Sequence, residues 1–571
     1  MNTAQRLRAR LILAAVCAAA AVIAAALYWI QGVKGKTYAA TADRQYEKPS
    51  TALFDRGSIF FSEKGGTPVS AAAVATGYLV YMNPSILVNP AQAYEALSHY
   101  LTLDRASFMA RASRPHDLYE ELAHRVGDDE APSIAGLGII GIGVAPETWR
   151  SYPGGTLAAH ALGIIGEDAA SSTVTGRYGL ERSYESVLAR DSVGSASNAI
   201  AQMFAGIKNS VFGGSPGEGD IITTIEPTVQ SYLESTLVAT AAQWKPDEIG
   251  GIIIDPKTGE IAAMGSLPTF DPNDLSTVKD TAVLSDPLVE HAYEMGSIMK
   301  PLTIVTGLDS GTITPTWTYD DTGTMTLNGK KISNYDGRAR GIIPVQQILS
   351  QSLNVGAANV ALKVGKTIFP AYFKSFGIGE KTGIDEPNET PGLASNLKDP
   401  KDIDIATASY GQGIALSPVA MARALSVIAS GGYLITPHLV KEIDHLDGTK
   451  QIIAPTNSGP ILKAQSVEDV TRMLVTVVDA ALKNGAIKRD HYSVAAKTGT
   501  AQIADHVNGG YYSDRYLHSF FGFFPAYNPK FLIFLYQIYP KGAEYASDTL
   551  TVPFDQLVGF LINYYNIPPD R

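Results

Sequence analysis

The longest uninterrupted apolar stretch of the chain lies near its start, at residues 11–30. It contains no charged side chain and consists mostly of Ala, Leu, Ile and Val. Twenty helical residues at about 1.5 Å each cross the roughly 30 Å hydrocarbon core of a bilayer. Arg6, Arg8 and Arg10 precede the stretch, and basic residues beside a span tend to stay in the cytoplasm. The pattern predicts a cytoplasmic N-terminus at residues 1–10, a transmembrane helix at 11–30 and a body outside the cytoplasm. A cleavable signal peptide is the alternative, because the Ala-rich end can offer a small-residue cleavage site.

Shorter patterned segments follow as far as residue 190. The segment from Arg56 alternates apolar and polar residues and predicts strands, with a hairpin turn at residues 63–66. Helical spacing of apolar residues predicts helices at residues 91–110 and 115–126. Residues 191–220 are rich in Ser, Gly and Ala, which is typical of a junction between domains.

The second part of the chain begins and ends with strand patterns around a helix-rich middle. Strands are predicted at 221–225, 251–255, 261–264, 493–500, 519–525 and 531–539, and helices at 227–244, 415–429 and 554–565. This order predicts an α+β fold, in which helices are segregated against one antiparallel sheet.

Composition excludes several classes of protein. With 571 residues, of which 45% are hydrophobic and 18% charged, the chain is folded and large enough for two or three domains. A net charge of −11 without a basic cluster argues against nucleic acid as a partner. Cys17 is the one cysteine, so an internal disulfide and a Cys-based zinc site are excluded. The ten histidines show no metal-ligand spacing, and no metal or other cofactor is implied.

Ser297 and Lys300 form the first pair whose spacing suggests chemistry. Positions i and i+3 share a helix face, so a helix beginning near Ser297 brings the hydroxyl and the amine within hydrogen-bond reach. A serine hydroxyl needs a base to take its proton, and a lysine whose pKa is lowered by burial can be that base. By itself, the pair also fits an exposed helix start with a solvated lysine.

Two later triplets make the pattern specific. A Ser-Leu-Asn triplet begins at Ser352, in a helical region, and a Lys-Thr-Gly triplet begins at Lys497, on a predicted strand. Each triplet is common by itself. The ordered set Ser-x-x-Lys, Ser-x-Asn and Lys-Thr-Gly is typical of penicillin-binding proteins and serine β-lactamases.

Over nearly its whole length, the chain resembles the class B penicillin-binding proteins, which are membrane-anchored D,D-transpeptidases of peptidoglycan synthesis. Further segments that resemble the family are Arg56-Gly57-x-Ile59, Arg150-x-Tyr152-Pro153, Gly179-Leu180-Glu181, Asp255-Pro256-Lys257-Thr258-Gly259-Glu260, Tyr293-Glu294, Lys381-Thr382-Gly383-Ile384 and Tyr410-Gly411-Gln412-Gly413. The chain departs from the family at Met295, where proline is usual, and at Ile298 and Met299, where threonine and phenylalanine are usual. We expect these departures to change buried packing and not the reacting groups.

The resemblance implies how the chain is organised and where it works. It implies an elongated α/β pedestal domain of the dimerisation type at residues 31–215. A transpeptidase domain follows at residues 216–571, whose antiparallel sheet carries helices on both sides. The implied location is the cytoplasmic membrane, with the catalytic domain on the outer side. The implied partners are peptidoglycan stem peptides, β-lactam antibiotics, a polytopic membrane glycosyltransferase, and other proteins of the cell-division or cell-elongation machinery.

The resemblance also implies a role for each residue of the first two motifs. Ser297 would attack the carbonyl of the penultimate D-alanine of a stem peptide, and an amine of a neighbouring stem peptide would then take the acyl group. Lys300 would act as the base toward Ser297. Ser352 would relay a proton to the leaving amine, and Asn354 would bind the lysine or the substrate amide.

The third motif would hold the substrate. Lys497 would place positive charge where the terminal carboxylate of the donor must lie. Thr498, Gly499 and Thr500 would belong to the substrate-binding strand, with the two threonine hydroxyls directed at that carboxylate. The backbone N–H groups of Ser297 and Thr500 would form the oxyanion hole.

Two other functions remain open at this point. A hydrolytic D,D-carboxypeptidase or β-lactamase would use the same serine and pass the acyl group to water, although the predicted span and pedestal argue against a single-domain β-lactamase. A membrane-anchored β-lactam sensor or an inactive scaffold would only bind, although only about ten residues precede the span to serve as a signalling portion. Within the class, a division role and an elongation role, which sets cell shape, are both open.

Overall fold

The structure is a computed structural model that describes residues 55–167, 174–190, 217–505 and 507–571. The predicted N-terminus at 1–10 and transmembrane helix at 11–30 lie outside these ranges, as does the predicted domain boundary between residues 215 and 216. Within the described ranges, we find no helix that combines the length and the apolar character needed to cross a bilayer.

Both helices and strands occur along the described chain. The helices are α1 Pro90–Leu97, α2 Arg105–Ala112, α3 Glu130–Gly136, α4 Ala159–Leu162, α5 Gly179–Ser183, α6 Glu185–Leu188, α7 Pro227–Trp244, α8 Pro287–Glu290, α9 Lys300–Asp309, α10 Gln346–Ser350, α11 Asn354–Val364, α12 Ile368–Ser375, α13 Asp402–Ala408, α14 Pro418–Ala429, α15 Ala464–Thr476, α16 Ala546–Thr549 and α17 Thr551–Tyr565. The strands are β1 Ile59–Ser62, β2 Pro68–Met82, β3 Glu120–Val126, β4 Ile142–Ser151, β5 Ile165–Glu167, β6 Val174–Gly176, β7 Gly219–Thr223, β8 Glu248–Ile254, β9 Ile261–Leu267, β10 Thr318–Asp321, β11 Thr324–Leu327, β12 Lys330–Ser333, β13 Gly341–Pro344, β14 Tyr433–Ile435, β15 Val440–His445, β16 Lys450–Ile452, β17 Asn457–Pro460, β18 Ala495–Ala504, β19 Tyr511–Phe524 and β20 Phe531–Ile538.

The described chain forms two compact units. Val74–Trp149 belongs to the first unit, whereas Arg56–Ala73, the residues from Arg150 to 190 and the residues from 217 onward belong to the second. The first unit has its own core, in which Val80, Leu97, Phe108 and Ile134 are buried.

One predicted helix of the first unit is wrong. Residues 120–126 form strand β3, which pairs antiparallel with β2 and places Tyr78 opposite Val126. The apolar spacing in this segment is compatible with both element types, and the hydrogen-bonding edge of β2 decides between them. The predicted helix at 91–110 forms as two helices, because Asp104 interrupts it and caps α2 by accepting a hydrogen bond from the Ser107 N–H (2.8 Å).

The main sheet of the second unit has five antiparallel strands in the order β18-β19-β20-β8-β9. Neighbouring residues of β8 point to opposite faces. A Cβ built on Gly250 would meet Leu288 of α8, and a Cβ built on Gly251 would meet Leu233 of α7. Because helices cover both faces, strands β8, β9 and β20 are apolar almost throughout. This confirms the predicted antiparallel sheet with helices on both sides.

Segments from far apart in the chain meet in a buried ionic cluster of the second unit. Glu181 accepts hydrogen bonds from Arg56 Nε and Arg150 Nε, each at 2.6 Å. All three side chains are at most 2% exposed. Tyr152 Oη donates to the same carboxylate at 3.3 Å. Three sequence segments that were recognised separately therefore form one structural group, which is distinct from the predicted catalytic residues.

Candidate active site

Ser297 lies on a single 3₁₀ turn, Gly296–Met299, that leads directly into α9. Gly296 has a φ of +65°, and a Cβ there would lie 3.0 Å from the Thr500 carbonyl oxygen. Glycine therefore allows the turn to approach β18 closely. Met295, Ile298 and Met299 are buried in the core, as expected for departures that affect only packing.

The Lys300 amine is the centre of the predicted constellation. Its Nζ lies 2.8 Å from Ser297 Oγ and 2.9 Å from Asn354 Oδ1. It also lies 2.6 Å from the Ser352 carbonyl oxygen and 3.2 Å from Ser352 Oγ. The structure therefore gathers Ser297, Ser352 and Asn354 around the Lys300 nitrogen, although Ser297 and Asn354 are 57 positions apart in sequence.

Burial adjusts this amine for proton transfer. Lys300 is fully buried, and burial lowers its pKa well below the ordinary lysine value, with a further contribution from the charge of Lys497. Burial also lowers the pKa of Lys497, to about 7. Removing a charged amine from water favours its neutral form, and a neutral Lys300 can accept the Ser297 proton.

Ser352 and Asn354 are placed by an unusual backbone and by a neighbouring segment. Ser352 sits between α10 and α11 with a φ of +56°, a conformation that costs energy for a residue with a Cβ. Asn354 opens α11 and donates from Nδ2 to the Ser333 carbonyl oxygen (3.0 Å). Asn334 Oδ1 accepts from the Val355 N–H (3.1 Å), while Asn334 Nδ2 donates to the buried Asp321 carboxylate (2.9 Å). No sequence motif marks Asn334 or its segment, so only the structure identifies this residue.

The Lys-Thr-Gly segment lies on β18, at one end of the main sheet. Lys497 Nζ is 3.1 Å from Ser352 Oγ and donates to the Thr498 carbonyl oxygen at 2.8 Å, so it connects the strand to the second motif. A Cβ on Gly499 would lie 2.3 Å from Ser519 Oγ and 2.7 Å from the Met295 carbonyl oxygen. Only glycine fits where the strand crosses the nucleophile turn. Thr500 Oγ1 accepts from the Ala546 N–H (3.0 Å), which leaves its O–H free to donate.

These residues meet at a cleft of about 760 Å³. Of the eight predicted site residues, six line the cleft: Ser297, Ser352, Asn354, Lys497, Thr498 and Thr500. Lys300 and Gly499 do not line it, because Lys300 is buried behind Ser297 and Gly499 packs beneath the strand. No group of three or more His, Cys, Asp or Glu side chains suited to hold a metal ion occurs in the described part of the chain.

A loop beside the nucleophile turn also lines the cleft, and the Gly296 N–H donates to its Gly411 carbonyl oxygen (3.2 Å). Tyr410 and Gln412 line the cleft, and the loop is held by Glu294, whose Oε1 accepts from the Gly413 N–H (2.9 Å) and from Tyr511 Oη (3.1 Å). The Tyr-Gly-Gln-Gly segment resembles the family in sequence, but the resemblance implies no position for it in the site. Tyr511 lies at the start of β19 and carried no sequence signal.

Comparisons with known proteins agree with this geometry. Residues 249–553, more than half of the chain, match the family model of the penicillin binding protein transpeptidase domain. Stage V sporulation protein D of Bacillus subtilis (strain 168) is 26% identical over 544 residues, which cover 93% of this chain and 81% of the relative. Peptidoglycan D,D-transpeptidase FtsI of Escherichia coli (strain K12) is 24% identical over 565 residues, which cover 95% of this chain and 89% of the relative.

Solved structures show the same fold. The crystal structure of penicillin binding protein 2X from Streptococcus thermophilus has a TM-score of 0.72 at 21% identity, covering 90% of this chain and 81% of that one. Penicillin binding protein 3 from Mycobacterium tuberculosis, complexed with aztreonam, has a TM-score of 0.68 at 22% identity, covering 91% of this chain and 98% of that one. The family match, the relatives and the fold lead to one conclusion: the chain belongs to the penicillin-binding protein transpeptidase family, and the resemblance to its class B members is confirmed.

Proposed function

We propose that this protein is a serine-type peptidoglycan D,D-transpeptidase, which cross-links stem peptides through an acyl-enzyme on Ser297 and is a target of β-lactam antibiotics. The observation that carries the proposal is the fully buried Lys300 amine, 2.8 Å from Ser297 Oγ. An exposed lysine at the same spacing would remain protonated and could not take the serine proton.

Acylation proceeds in two proton transfers. Lys300 takes the Ser297 proton as Oγ attacks the carbonyl of the penultimate D-alanine, and the Ser297 and Thr500 N–H groups stabilise the oxyanion. The C–N bond then breaks. The proton on Lys300 passes through the Ser352 hydroxyl, 3.2 Å away, to the leaving D-alanine amine.

The donor peptide lies along β18 as an added strand, because an end strand offers unpaired backbone groups. Its terminal carboxylate lies near Lys497 and the hydroxyls of Thr498 and Thr500. In the second half-reaction, an acceptor amine attacks the ester carbonyl and the C–O bond to Ser297 breaks. The proton that the amine loses returns to Ser297 Oγ through the same groups.

A β-lactam follows only the first half of this reaction. Opening of the ring acylates Ser297, but the leaving group stays attached to the acyl group and obstructs the acceptor. The ester therefore persists, and a fluorescent penicillin labels the protein covalently.

The wider organisation is also proposed. Residues 11–30 anchor the protein in the cytoplasmic membrane, residues 31–215 form the pedestal, and residues 216–571 form the transpeptidase domain on the outer side. The charge-free apolar stretch and the basic residues before it support this orientation. The partners are a polytopic membrane glycosyltransferase and other proteins of the division or elongation machinery, with the pedestal and span as docking regions.

The nucleophile is tested by labelling the full-length protein in detergent with a fluorescent penicillin. We expect Ser297→Ala to abolish the label. Ser350→Ala is the matched control, because this serine also lines the cleft but belongs to no motif, and it should keep the label. Labelling that survives Ser297→Ala would refute the assignment.

The reaction class is tested with a fluorescent stem-peptide donor and an amine acceptor. Cross-linked product supports transpeptidation. Hydrolysed donor alone would indicate a D,D-carboxypeptidase, and repeated turnover of a chromogenic cephalosporin would indicate a β-lactamase. Penicillin labelling without any donor turnover would indicate a sensor or scaffold.

A further inference from the structure

The charges that line the cleft are unevenly distributed. Lys331, Lys483 and Lys497 line it, whereas Glu544 is the only lining residue with a carboxylate side chain, as far as the described ranges extend. Lysines suit the donor peptide, whose end is an anion. A carboxylate attracts a cation, and the substrate that carries a cation is the acceptor, whose amine is protonated to an ammonium group.

The surroundings of Glu544 also suit an alkylammonium group. Tyr335, Tyr516 and Tyr545 line the same part of the cleft, and the Tyr335 and Tyr545 rings meet edge to face at 6.1 Å. Glu544 directly precedes Tyr545 in sequence, and burial together with the nearby Glu544 carboxylate raises the pKa of Tyr545 to about 12. Tyrosine faces attract cations, so rings and carboxylate favour the same ligand.

Backbone contacts hold Glu544 beside the substrate strand. Its carbonyl oxygen lies 3.0 Å from His518 Nε2, and His518 is the residue opposite Thr500 in the pairing of β18 with β19. Two residues later, the Ala546 N–H donates to Thr500 Oγ1. His518 is fully buried, and burial lowers its pKa to about 4. The imidazole that contacts the Glu544 carbonyl oxygen is therefore uncharged at neutral pH. Glu544 is therefore fixed near the residues that hold the donor.

We propose that Glu544 recruits the acceptor to the acyl-enzyme by binding its ammonium group beside the Tyr335 and Tyr545 rings. This inference rests on the proposed transpeptidase function and deepens it, since it assigns a specificity residue to the second half-reaction. Binding changes no bond. The ammonium gives one proton to solvent water before its nitrogen attacks the ester, and the proton lost after the attack returns to Ser297 Oγ. Glu544 favours an amine over water as the acceptor, because water carries no charge.

The test compares the full-length protein with its Glu544→Gln variant, in detergent, with a fluorescent stem-peptide donor. The acceptors are an alkylamine that is cationic at neutral pH and hydroxylamine, which is largely uncharged. We expect the variant to raise the acceptor KM for the alkylamine about fivefold, the largest effect typical of one exposed charge pair. The KM for hydroxylamine should stay the same, and hydrolysed donor should increase relative to cross-linked product.

Asp514→Asn is the matched control. Asp514 lies with Glu544 on a neighbouring surface hollow but does not line the cleft, so its removal should change the alkylamine KM less than twofold. Added salt should raise the alkylamine KM of the wild-type protein and have little effect on that of Glu544→Gln.

Three outcomes overturn the inference. The first is an alkylamine KM within twofold of the wild-type value in Glu544→Gln. The second is an equal rise in KM for the alkylamine and for hydroxylamine. The third is a loss of penicillin acylation in the variant. Either of these last two results assigns Glu544 a structural role. Wild-type protein that is labelled by penicillin but transfers to no amine instead overturns the proposed function, and the inference with it.

Discussion

Replacing Glu181 with alanine is expected to cost about 3–5 kcal/mol of unfolding free energy, because it leaves two buried guanidinium groups without their shared carboxylate. Arg56 and Arg150 each lie 2.6 Å from Glu181, and their side chains are 1% and 2% exposed. Water therefore cannot replace the lost charge.

Arg56 and Arg150 keep different interactions once the Glu181 carboxylate is removed. Arg56 retains an ion pair with Glu185 at 2.7 Å. Arg150 retains only the hydrogen bond to the Gly57 carbonyl oxygen, at 2.8 Å. Its Nη2 already has no hydrogen-bond partner among the described residues. Most of the cost should therefore come from Arg150, and a triple replacement, Arg56→Met, Glu181→Leu and Arg150→Met, should recover most of the loss.

The assay follows urea unfolding of the full-length protein in detergent, with the fraction that still reacts with fluorescent penicillin as the measure of native protein. Glu185→Gln is the matched control. Glu185 contacts the same Arg56, but its side chain is 33% exposed, so its loss should cost about 1 kcal/mol or less. If Glu181→Ala and Glu185→Gln cost the same, or if the triple variant is no more stable than Glu181→Ala, the reasoning about buried charge is refuted.

Two further predictions concern the third motif. Lys497→Met should flatten the pH dependence of the free energy of unfolding. In the folded protein the pKa of Lys497 is lowered from 10.5 to about 7, so between pH 7 and pH 10.5 the unfolded chain binds a proton on Lys497 that the folded protein does not. Wild-type stability therefore rises with pH across this window and falls as the pH is lowered. Urea unfolding at pH 7 and pH 9 measures this, and an unchanged slope in the variant would contradict it. Gly499→Ala should slow penicillin acylation at least tenfold and cost about 1–3 kcal/mol, because the new Cβ overlaps Ser519 Oγ and presses on the nucleophile turn. Gly65→Ala, at an open turn, is its control, and equal acylation by both variants would contradict the steric argument.

Local sequence patterns predicted a helix or strand well where its apolar residues lie on one face or form one continuous run. The predicted helix at 227–244 agrees with α7, and the predicted strands at 251–255, 261–264 and 531–539 belong to the main sheet. The helix predicted at 115–126 failed, since β3 exists only because β2 supplies its hydrogen-bond partners from some 40 residues earlier. Pairing of this kind is not encoded in any window of neighbouring residues.

For the candidate site, the motifs predicted which residue types meet, but not what supports them. Ser297, Ser352 and Lys497 carry sequence signals, and all three line the cleft. Asn334, which caps α11, and Glu544, which adds the carboxylate, lie in segments without a motif. Their positions follow from packing against elements that are remote in sequence.

The sequence by itself determined the chemical groups and their order: a serine three residues before a lysine, a Ser-x-Asn triplet and a Lys-Thr-Gly strand. Only the tertiary structure decided how these groups behave. Lys300 lies 2.8 Å from Ser297 Oγ and is removed from water by the surrounding core, and this burial lowers its pKa. Desolvation depends on every element packed around the amine, from α9 to β18, so no local stretch of sequence can specify it.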